Sequence, residues 1–388
     1  MLGSKRIKLG VISDEFFDRA LGRMGGYGWA ARQLSQTFNE DPSLGVDVVL
    51  LSGEIRSTAE RDEARVHDTR VVLRRAGRLA NWRAVKRERF DLLITIDYNL
   101  GYSVYLRAMP RTPAIIWIRD PRAPEDAEKI NTTRIPGLPD VLPQGLYSFD
   151  GTSMARIERE SSWFRRPLLF ATQAPHLITR LEGAFGVEPW EVFFLPNNLR
   201  VDPPVVVKSA TPNVVFLGRL DPVKRPWLFA ELARSFPHVE FRFLGQAHFT
   251  GEGSWHPTDV PPNVRLMGHV DEEEKIRLLC EAWVAVNTSV HEAVAVSMLE
   301  ALACQTPLLS TVNPGFMVSR HGFYAGRFDG DGMGAMPHLI DGMQRLLESE
   351  GLRRELGERG QRWIRATHSR ERFLDGFATL CERAGLRQ

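Results

Sequence analysis

Glu292 and Glu300 stand eight residues apart in the run Val290-His291-Glu292-Ala293-Val294-Ala295-Val296-Ser297-Met298-Leu299-Glu300-Ala301-Leu302-Ala303. The residues between them are mostly apolar and helix-forming, and the run directly follows the strand-like Trp283–Asn287. Open α/β sheets bind ligands beyond the carboxyl ends of their strands, and carboxylates accept hydrogen bonds from vicinal hydroxyls. One glutamate in the loop and another two turns along a helix would meet a single ligand at two heights. Read as helix, the separation spans about 12 Å, comparable to the reach from a sugar across a diphosphate to a ribose. A partly buried helix with both glutamates in solvent fits the same residues, so the rest of the chain must decide.

Cations suited to the middle of such a ligand occur in Phe216-Leu217-Gly218-Arg219-Leu220-Asp221-Pro222-Val223-Lys224-Arg225-Pro226. Arg219 offers a planar fork of donors and Lys224 a compact charge. Both lie in a loop at the end of a predicted strand, where they would stabilise charge developing on a departing diphosphate without a metal. Surface charge engaged in salt bridges is the competing reading. The free N–H groups near Val294, Ala295, Val296 and Ser297 add positive potential at a helix start. A further loop, Gly22-Arg23-Met24-Gly25-Gly26-Tyr27-Gly28, follows the first strand and precedes a helical run. Its glycines would let backbone approach an anion, although a plain turn fits as well. The pattern is neither GxGxxG nor Walker A. The ligand these pieces describe is a nucleoside diphosphate sugar.

Composition narrows the field. The chain has 388 residues, long enough to favour two domains, and a net charge of +2 that gives no sign of a nucleic-acid partner. Cys280, Cys304 and Cys381 are too few and too far apart for a disulfide framework or a metal pattern. They read as small buried hydrophobes in a reducing cytoplasm. Met1–Lys8 leads straight into a strand-like run, which argues against a signal peptide, and no stretch approaches the length of a membrane span. Asp329-Gly330-Asp331 could hold a divalent ion against a diphosphate, but without a strand close before it an ordinary turn is favoured. Residues 56–89 hold eleven Arg and Lys, and the part from 70 to 89 is distinctly basic. It reads as a solvated face, with peripheral contact to an anionic membrane, or to an anionic acceptor, as the alternatives.

The elements that must position these residues form two series. Strand-like runs at Ile7–Ser13, Val46–Leu51, Arg70–Leu73, Asp91–Ile96, Ala114–Ile118, Leu168–Ala171 and Glu191–Leu195 are separated by helix-length segments. A second series comprises Asn213–Leu217, Glu240–Leu244, Val264–Met267, Trp283–Asn287 and Pro307–Ser310. Alternation of this kind predicts parallel sheets built from βαβ units. Helices are expected at Gly28–Phe38, Trp227–Phe236, Glu273–Ala282, Val294–Ala303 and Met336–Leu347, and a charged helical run over 351–384. The proline-rich stretch at 196–204 reads as a linker, and 320–336, with its five glycines, as a surface loop.

These motifs resemble the GT4-type retaining glycosyltransferases. Gly218 to Lys224 matches their Gly-Arg-x4-Lys element, Glu292 to Glu300 their E-x7-E signature, and Ala301-Leu302-Ala303-Cys304-Gln305-Thr306-Pro307 the tail behind it. Val264–Val270 resembles the strand–Gly–turn that precedes the signature, and Gly25-Gly26 the N-terminal glycine pair. The likeness is strong over 213–311, moderate at 7–40 and weak between 50 and 165. It implies an α/β GT-B fold of two Rossmann-like domains facing across a cleft. The expected bounds are 1–198 for the acceptor side, 199–365 for nucleotide-sugar binding, and 366–388 for a helix returning to the first domain. It also implies that Arg219 and Lys224 bind diphosphate, Glu292 binds donor-sugar hydroxyls and Glu300 holds the ribose. Gly25 and Gly26 would approach the phosphates.

The chain departs from the family in two places. Ala293-Val294-Ala295 replace the usual glycine and aromatic after the first glutamate, which suggests a tighter sugar pocket. Arg119 stands where the family often has histidine, making Arg119, Asp120 and Arg122 candidates for acceptor or sugar contacts, with loop packing as the other reading. His291 fits a structural or donor-stacking role as well as acid–base work. The expected reaction is metal-independent transfer, with retention, from a UDP-, GDP- or dTDP-sugar to an acceptor hydroxyl on a lipid-linked sugar, glycan precursor or natural product. No Ser-His-Asp or Cys-His arrangement competes with it. A nucleotide-sugar epimerase and a non-enzymatic sugar-nucleotide binder remain the alternatives. An NAD oxidoreductase is disfavoured by the missing dinucleotide fingerprint.

Overall fold

A computed structural model describes residues 6–16, 18, 21, 25–56, 62–138, 152–199, 205–247, 255–256 and 259–386. The chain divides into two compact units. The first comprises Met1–Pro121, Asp150–Asn198 and His368–Gln388, and the second Arg122–Phe149 and Leu199–Thr367. The segment beginning at Arg122 therefore groups with the second unit, although it lies inside the range 1–198 expected for the first.

Among its described residues the first unit carries eight strands: β1 Ile7–Ser13, β2 Val46–Ile55, β3 Glu63–Val66, β4 Thr69–Arg74, β5 Leu92–Ile96, β6 Ala114–Ile118, β7 Leu168–Thr172 and β8 Val192–Phe194. They are ordered β3-β4-β2-β1-β5-β6-β7-β8. All pairs are parallel except β3 with β4. Its helices are α1 Gly26–Asn39, α2 Arg78–Glu88 and α3 Ser103–Ala108, with α5 Thr152–Phe164, α6 Ile178–Phe185 and α13 Arg370–Arg383 later in the chain. The continuous apolar runs of β1, β5 and β6 are buried throughout or nearly so, as parallel strands covered on both faces require.

The second unit holds β9 Asn213–Leu217, β10 Glu240–Leu244, β11 Val264–Gly268, β12 Val284–Asn287, β13 Leu308–Ser310 and β14 Gly322–Tyr324. Its helices are α4 Pro124–Asn131, α7 Pro226–Arg234, α8 Glu272–Glu281, α9 Val296–Ala303, α10 Met317–His321, α11 Met336–Glu348 and α12 Glu350–Thr367. The all-parallel order β11-β10-β9-β12-β13-β14 is that of a doubly wound sheet, with its reversal between β9 and β12. Phe216, Phe229, Phe241 and Phe243 pack edge-to-face and tilted at the centre of its core.

Three expectations need correction. The run at 351–384 is two helices, broken before Ser369, whose hydroxyl caps α13 by accepting from the Arg372 N–H. Within 320–336 there is a strand: a Cβ at Gly322 would lie 1.8 Å from the Leu308 carbonyl oxygen, so glycine is what lets β14 close against β13. The short edge strand β3 was not foreseen either, because Glu63–Val66 is half exposed and lacks an apolar run. Of the linker at 196–204, residues 200–204 lie outside the described residues. Asn197 and Asn198 are buried; Asn197 donates to Gln173, and Asn198 hydrogen-bonds the Thr37 hydroxyl. α13 packs on the first unit through Phe373 and Phe377 against Phe38, and through Arg370 on Asp41. Among the described residues no helix is long and apolar enough to cross a membrane.

Candidate functional site

The reversal between β9 and β12 places two loops side by side. One is Gly218–Arg225 after β9, the other Thr288–Ala295 after β12. Hydrogen bonds lock them together. Val290 N–H donates to the Val223 carbonyl at 2.9 Å, and the buried Thr288 hydroxyl reaches the carbonyls of Lys224 and Arg225 at 2.7 and 2.9 Å. Arg225 is held in the left-handed region at φ 45°, with Pro226 opening α7 behind it. Its guanidinium donates to the Gly330 carbonyl at 3.0 Å, and burial pushes its pKa down to about 10. Sequence reasoning passed over this residue, because nothing in a lone basic side chain marks it as a loop anchor.

Across this junction the Lys224 ammonium pairs with Glu292. The Glu292 carboxylate also accepts from the Ser289 hydroxyl at 2.6 Å and from the Asn287 amide at 3.2 Å. Burial works to raise the Glu292 pKa, but the adjacent Lys224 charge and the three hydrogen bonds together hold it below the usual carboxylate range. Glu292 is thus a largely buried, ionised acceptor at the carboxyl end of the sheet. Arg219, in the same loop as Lys224, rests its Nε 3.2 Å from the buried Asp221 carboxylate while remaining one-third exposed.

The expected helix starts later than the sequence suggested. Ala295, in extended conformation, is the N-cap, and α9 begins at Val296. Between Glu292 and Glu300 only Val296 onward is helical, a rise of about 6 Å, so an eight-residue helical separation is corrected to a loop plus one turn. Val294 and Ala295 lie in the loop, and Met298 N–H already bonds to the Ala295 carbonyl at 3.1 Å. The N–H groups at the helix start are therefore those of Val296 and Ser297. The picture of two solvent-facing glutamates does not hold either: Glu300 pairs with Lys275 of α8 at 2.6 Å.

In the first unit Gly25 is the N-cap of α1, and Gly26 opens the helix with free space around its Cα. A Cβ at Gly25 would fall 2.3 Å from a Glu15 carboxylate oxygen, and that carboxylate accepts from the Gly28 N–H at 3.3 Å. The anion at this helix start is therefore a side chain of the protein itself. Gly22, Arg23 and Met24 lie outside the described residues. Arg119 is buried against the face of Trp117, 4.6 Å from the ring centroid, and donates to Asn197 at 2.6 Å. Burial lowers its pKa to about 10. Loop packing is the role this geometry gives it.

The Asp-Gly-Asp stretch is a turn that uses its backbone. The Gly330 carbonyl accepts from Arg225 and from Arg134 N–H, and the Asp331 carbonyl accepts from the Trp227 indole at 2.7 Å. Among the described residues no three His, Cys, Asp or Glu side chains gather as a metal site. The three cysteines are free and buried.

Residues 202–363 match the family model described as glycosyl transferases group 1. The solved structures it resembles include sucrose-phosphate synthase from Thermosynechococcus elongatus, at 16% identity and TM-score 0.72 over 97% of this chain and 99% of that one. Anabaena HepE, solved in complex with UDP-glucose, aligns at 14% identity and TM-score 0.69 over 97% and 100%. A glycosyltransferase from Rickettsia africae aligns at 12% identity and TM-score 0.67 over 97% and 98%. No curated protein matches the sequence. The matched segment spans the second sheet with both of its polar loops, and the chain shares the two-sheet GT-B fold of these structures.

Proposed function

We propose that this protein is a glycosyltransferase that moves a sugar, with retention, from a nucleoside diphosphate donor seated on the β9 and β12 loops to an acceptor hydroxyl. The observation that carries the reading is the partly buried Lys224–Glu292 pair at the reversal point of the second sheet. Glu292 has an ionised carboxylate able to accept from sugar hydroxyls, and Lys224 has further N–H donors for a diphosphate. Arg219 and the Val296 and Ser297 N–H groups complete the phosphate side, and Glu300 takes the ribose. The donor complexes of HepE with UDP and UDP-glucose support a uridine nucleotide as the first to try.

In this reading the acceptor oxygen attacks the anomeric carbon on the face the diphosphate leaves. The bond from that carbon to the diphosphate oxygen breaks, and the acceptor proton passes to the leaving oxygen. The protein aligns the partners and stabilises the departing charge, with no resident metal. Gly25 and Gly26 would admit donor phosphates only if Glu15 withdraws from the start of α1. Thermal shift and calorimetry with UDP-, GDP- and dTDP-sugars test the donor. Proton NMR of the product's anomeric signal tests retention. Failure of every nucleotide sugar to bind would overturn the reading.

The acceptor side is open to a lipid-linked substrate at a cytoplasmic membrane face. Helix α2 exposes Leu79 and Trp82, at 72% and 40%, among Arg78, Arg83, Lys86 and Arg87. Lys86 sits 4.4 Å over the Trp82 ring. An exposed cationic face with apolar side chains suits an anionic lipid surface. Co-sedimentation with phosphatidylglycerol vesicles, against phosphatidylcholine vesicles, tests that contact.

A further inference from the structure

Helix α4 follows β6 of the first sheet in sequence, yet it belongs to the second unit. Its Asp126 is 3% exposed. One carboxylate oxygen accepts from the Ala123 N–H at 3.2 Å, closing the first turn of α4. The other lies 3.2 Å from His291 Nδ1 and 3.4 Å from an Arg327 guanidinium nitrogen. A single buried carboxylate therefore joins three segments: α4, the β12 loop that carries Glu292, and the loop after β14. The seat of α4 is itself well fixed. Ile135, just beyond the helix, is buried in the core of the second unit, and Arg134 N–H donates to the Gly330 carbonyl at 3.3 Å.

His291 is the residue immediately before Glu292, and it too is buried. On its other side the β12 loop is pinned to the β9 loop through Thr288 and Val290. The bond to His291 calls for the imidazole proton on Nδ1, because a carboxylate held by a guanidinium and a backbone N–H acts as an acceptor. The ring plane and tautomer of His291 are then set from α4, outside the segment that carries the donor-binding motifs.

We propose that Asp126 is a positioning residue for donor chemistry: by fixing His291 it fixes the backbone that presents Glu292 to the transferred sugar. This rests on the reading of the β12 loop as the donor-sugar site. Misplacement of a reacting group by about 1 Å can cost on the order of 100-fold in rate, so a role of this kind should appear in kcat rather than in donor KM.

The test uses the full-length enzyme with the nucleotide sugar that the binding screen identifies. Asp126→Asn keeps the size of the side chain and removes the charge. We expect kcat to fall about tenfold or more while donor KM changes less than about threefold. His291→Gln should lower kcat similarly. The double variant should be no worse than His291→Gln alone, since both substitutions cut one link. Asp126→Glu, which keeps the carboxylate, should recover part of the loss and covers the case in which Asp126→Asn does not fold. Imidazole nitrogen spectra give a readout independent of turnover: the Nδ1-protonated signal assigned to His291 should shift in Asp126→Asn. Unchanged kcat in Asp126→Asn, or losses that multiply in the double variant, would overturn the proposal while leaving the donor reading intact. A wild-type enzyme that binds no nucleotide sugar would instead overturn the donor reading, and this proposal with it.

Discussion

Lys275 of α8 holds Glu300 of α9, its Nζ 2.6 Å from the carboxylate, with side-chain exposures of only 9% and 13%. The second glutamate of the pair is thus neutralised by a neighbouring helix before any ligand arrives. This is compatible with ribose binding, because a carboxylate has acceptor positions to spare after one lysine contact.

For this pair the expected outcome separates binding from folding. Glu300→Ala removes the proposed ribose contacts, and a hydrogen bond to a charged group contributes about 1.5–3 kcal/mol. Donor affinity measured by calorimetry should fall about 10- to 100-fold. Lys275→Met, which strands the carboxylate, should cost about 3 kcal/mol of folding stability in urea titrations. Unchanged donor affinity in Glu300→Ala would place the ribose elsewhere.

Lys224 pairs with Glu292, and its proposed task on the diphosphate can be pulled apart from that pairing. Lys224→Ala leaves the largely buried Glu292 carboxylate with only Ser289 and Asn287 as partners; breaking a fully buried pair on one side costs about 3–5 kcal/mol, which is the upper bound for this pair with its 22% exposed lysine. The double change Lys224→Met with Glu292→Gln removes both charges and should regain most of that stability. It should not regain turnover, because the proposed diphosphate clamp and the proposed acceptor for the sugar hydroxyls are both gone. Recovery of activity in the double variant would show that the pair is structural only.

The loop that carries Arg219 depends on a glycine outside the motif. Gly245 has φ 147°, and a Cβ there would meet the Gly218 carbonyl oxygen at 1.9 Å. Gly218 N–H and Leu220 N–H bond to the Leu244 and Gln246 carbonyls at 3.0 and 3.1 Å, stitching the same approach. Gly245→Ala must push the Gly218–Arg219 backbone away. We expect a loss of about 1–3 kcal/mol together with weaker donor binding, measured on one sample by thermal shift with and without nucleotide. Wild-type donor affinity in that variant would show that the loop tolerates the displacement.

How far the sequence could be read follows from the range of the forces involved. Period and β-branching mark strands locally, so β1, β6, β9 and β10 stand at the bounds expected from their apolar runs. The polar loops were legible for the same reason, since Arg219, Lys224 and Glu292 each follow a strand that announces itself. Their partners were not. Lys275 meets Glu300 across 25 positions, and Asp126 meets His291 across more than 160. Such pairings depend on how helices pack, which no local pattern encodes. The late start of α9 was hidden because alanine and valine read as helix whether or not the loop has ended, and no Ser, Thr, Asp or Asn caps it. Arg119 stood open between a site contact and loop packing because a buried arginine and a ligand-binding one have the same letter.

A pH dependence of folding should arise at the turn before α13. His368 is 2% exposed and stands edge-on to Phe194. Burial, and secondly the Arg119 charge, push its pKa down to about 4. An unfolded chain binds the same proton near pH 6.5, so between these values the unfolded state holds more protons and stability rises with pH. The contribution is complete above about pH 6.5 and is lost as pH falls toward 4, at most about 3 kcal/mol for this one group. Urea titrations at pH 7 and pH 5 should show the drop, and His368→Gln should make it shallower. It should not abolish it, because burial drives His321 in the same direction, also to about 4. A His368→Gln protein with the full wild-type pH slope would mean that the ring is already protonated in the fold, which the adjacent Arg119 guanidinium opposes.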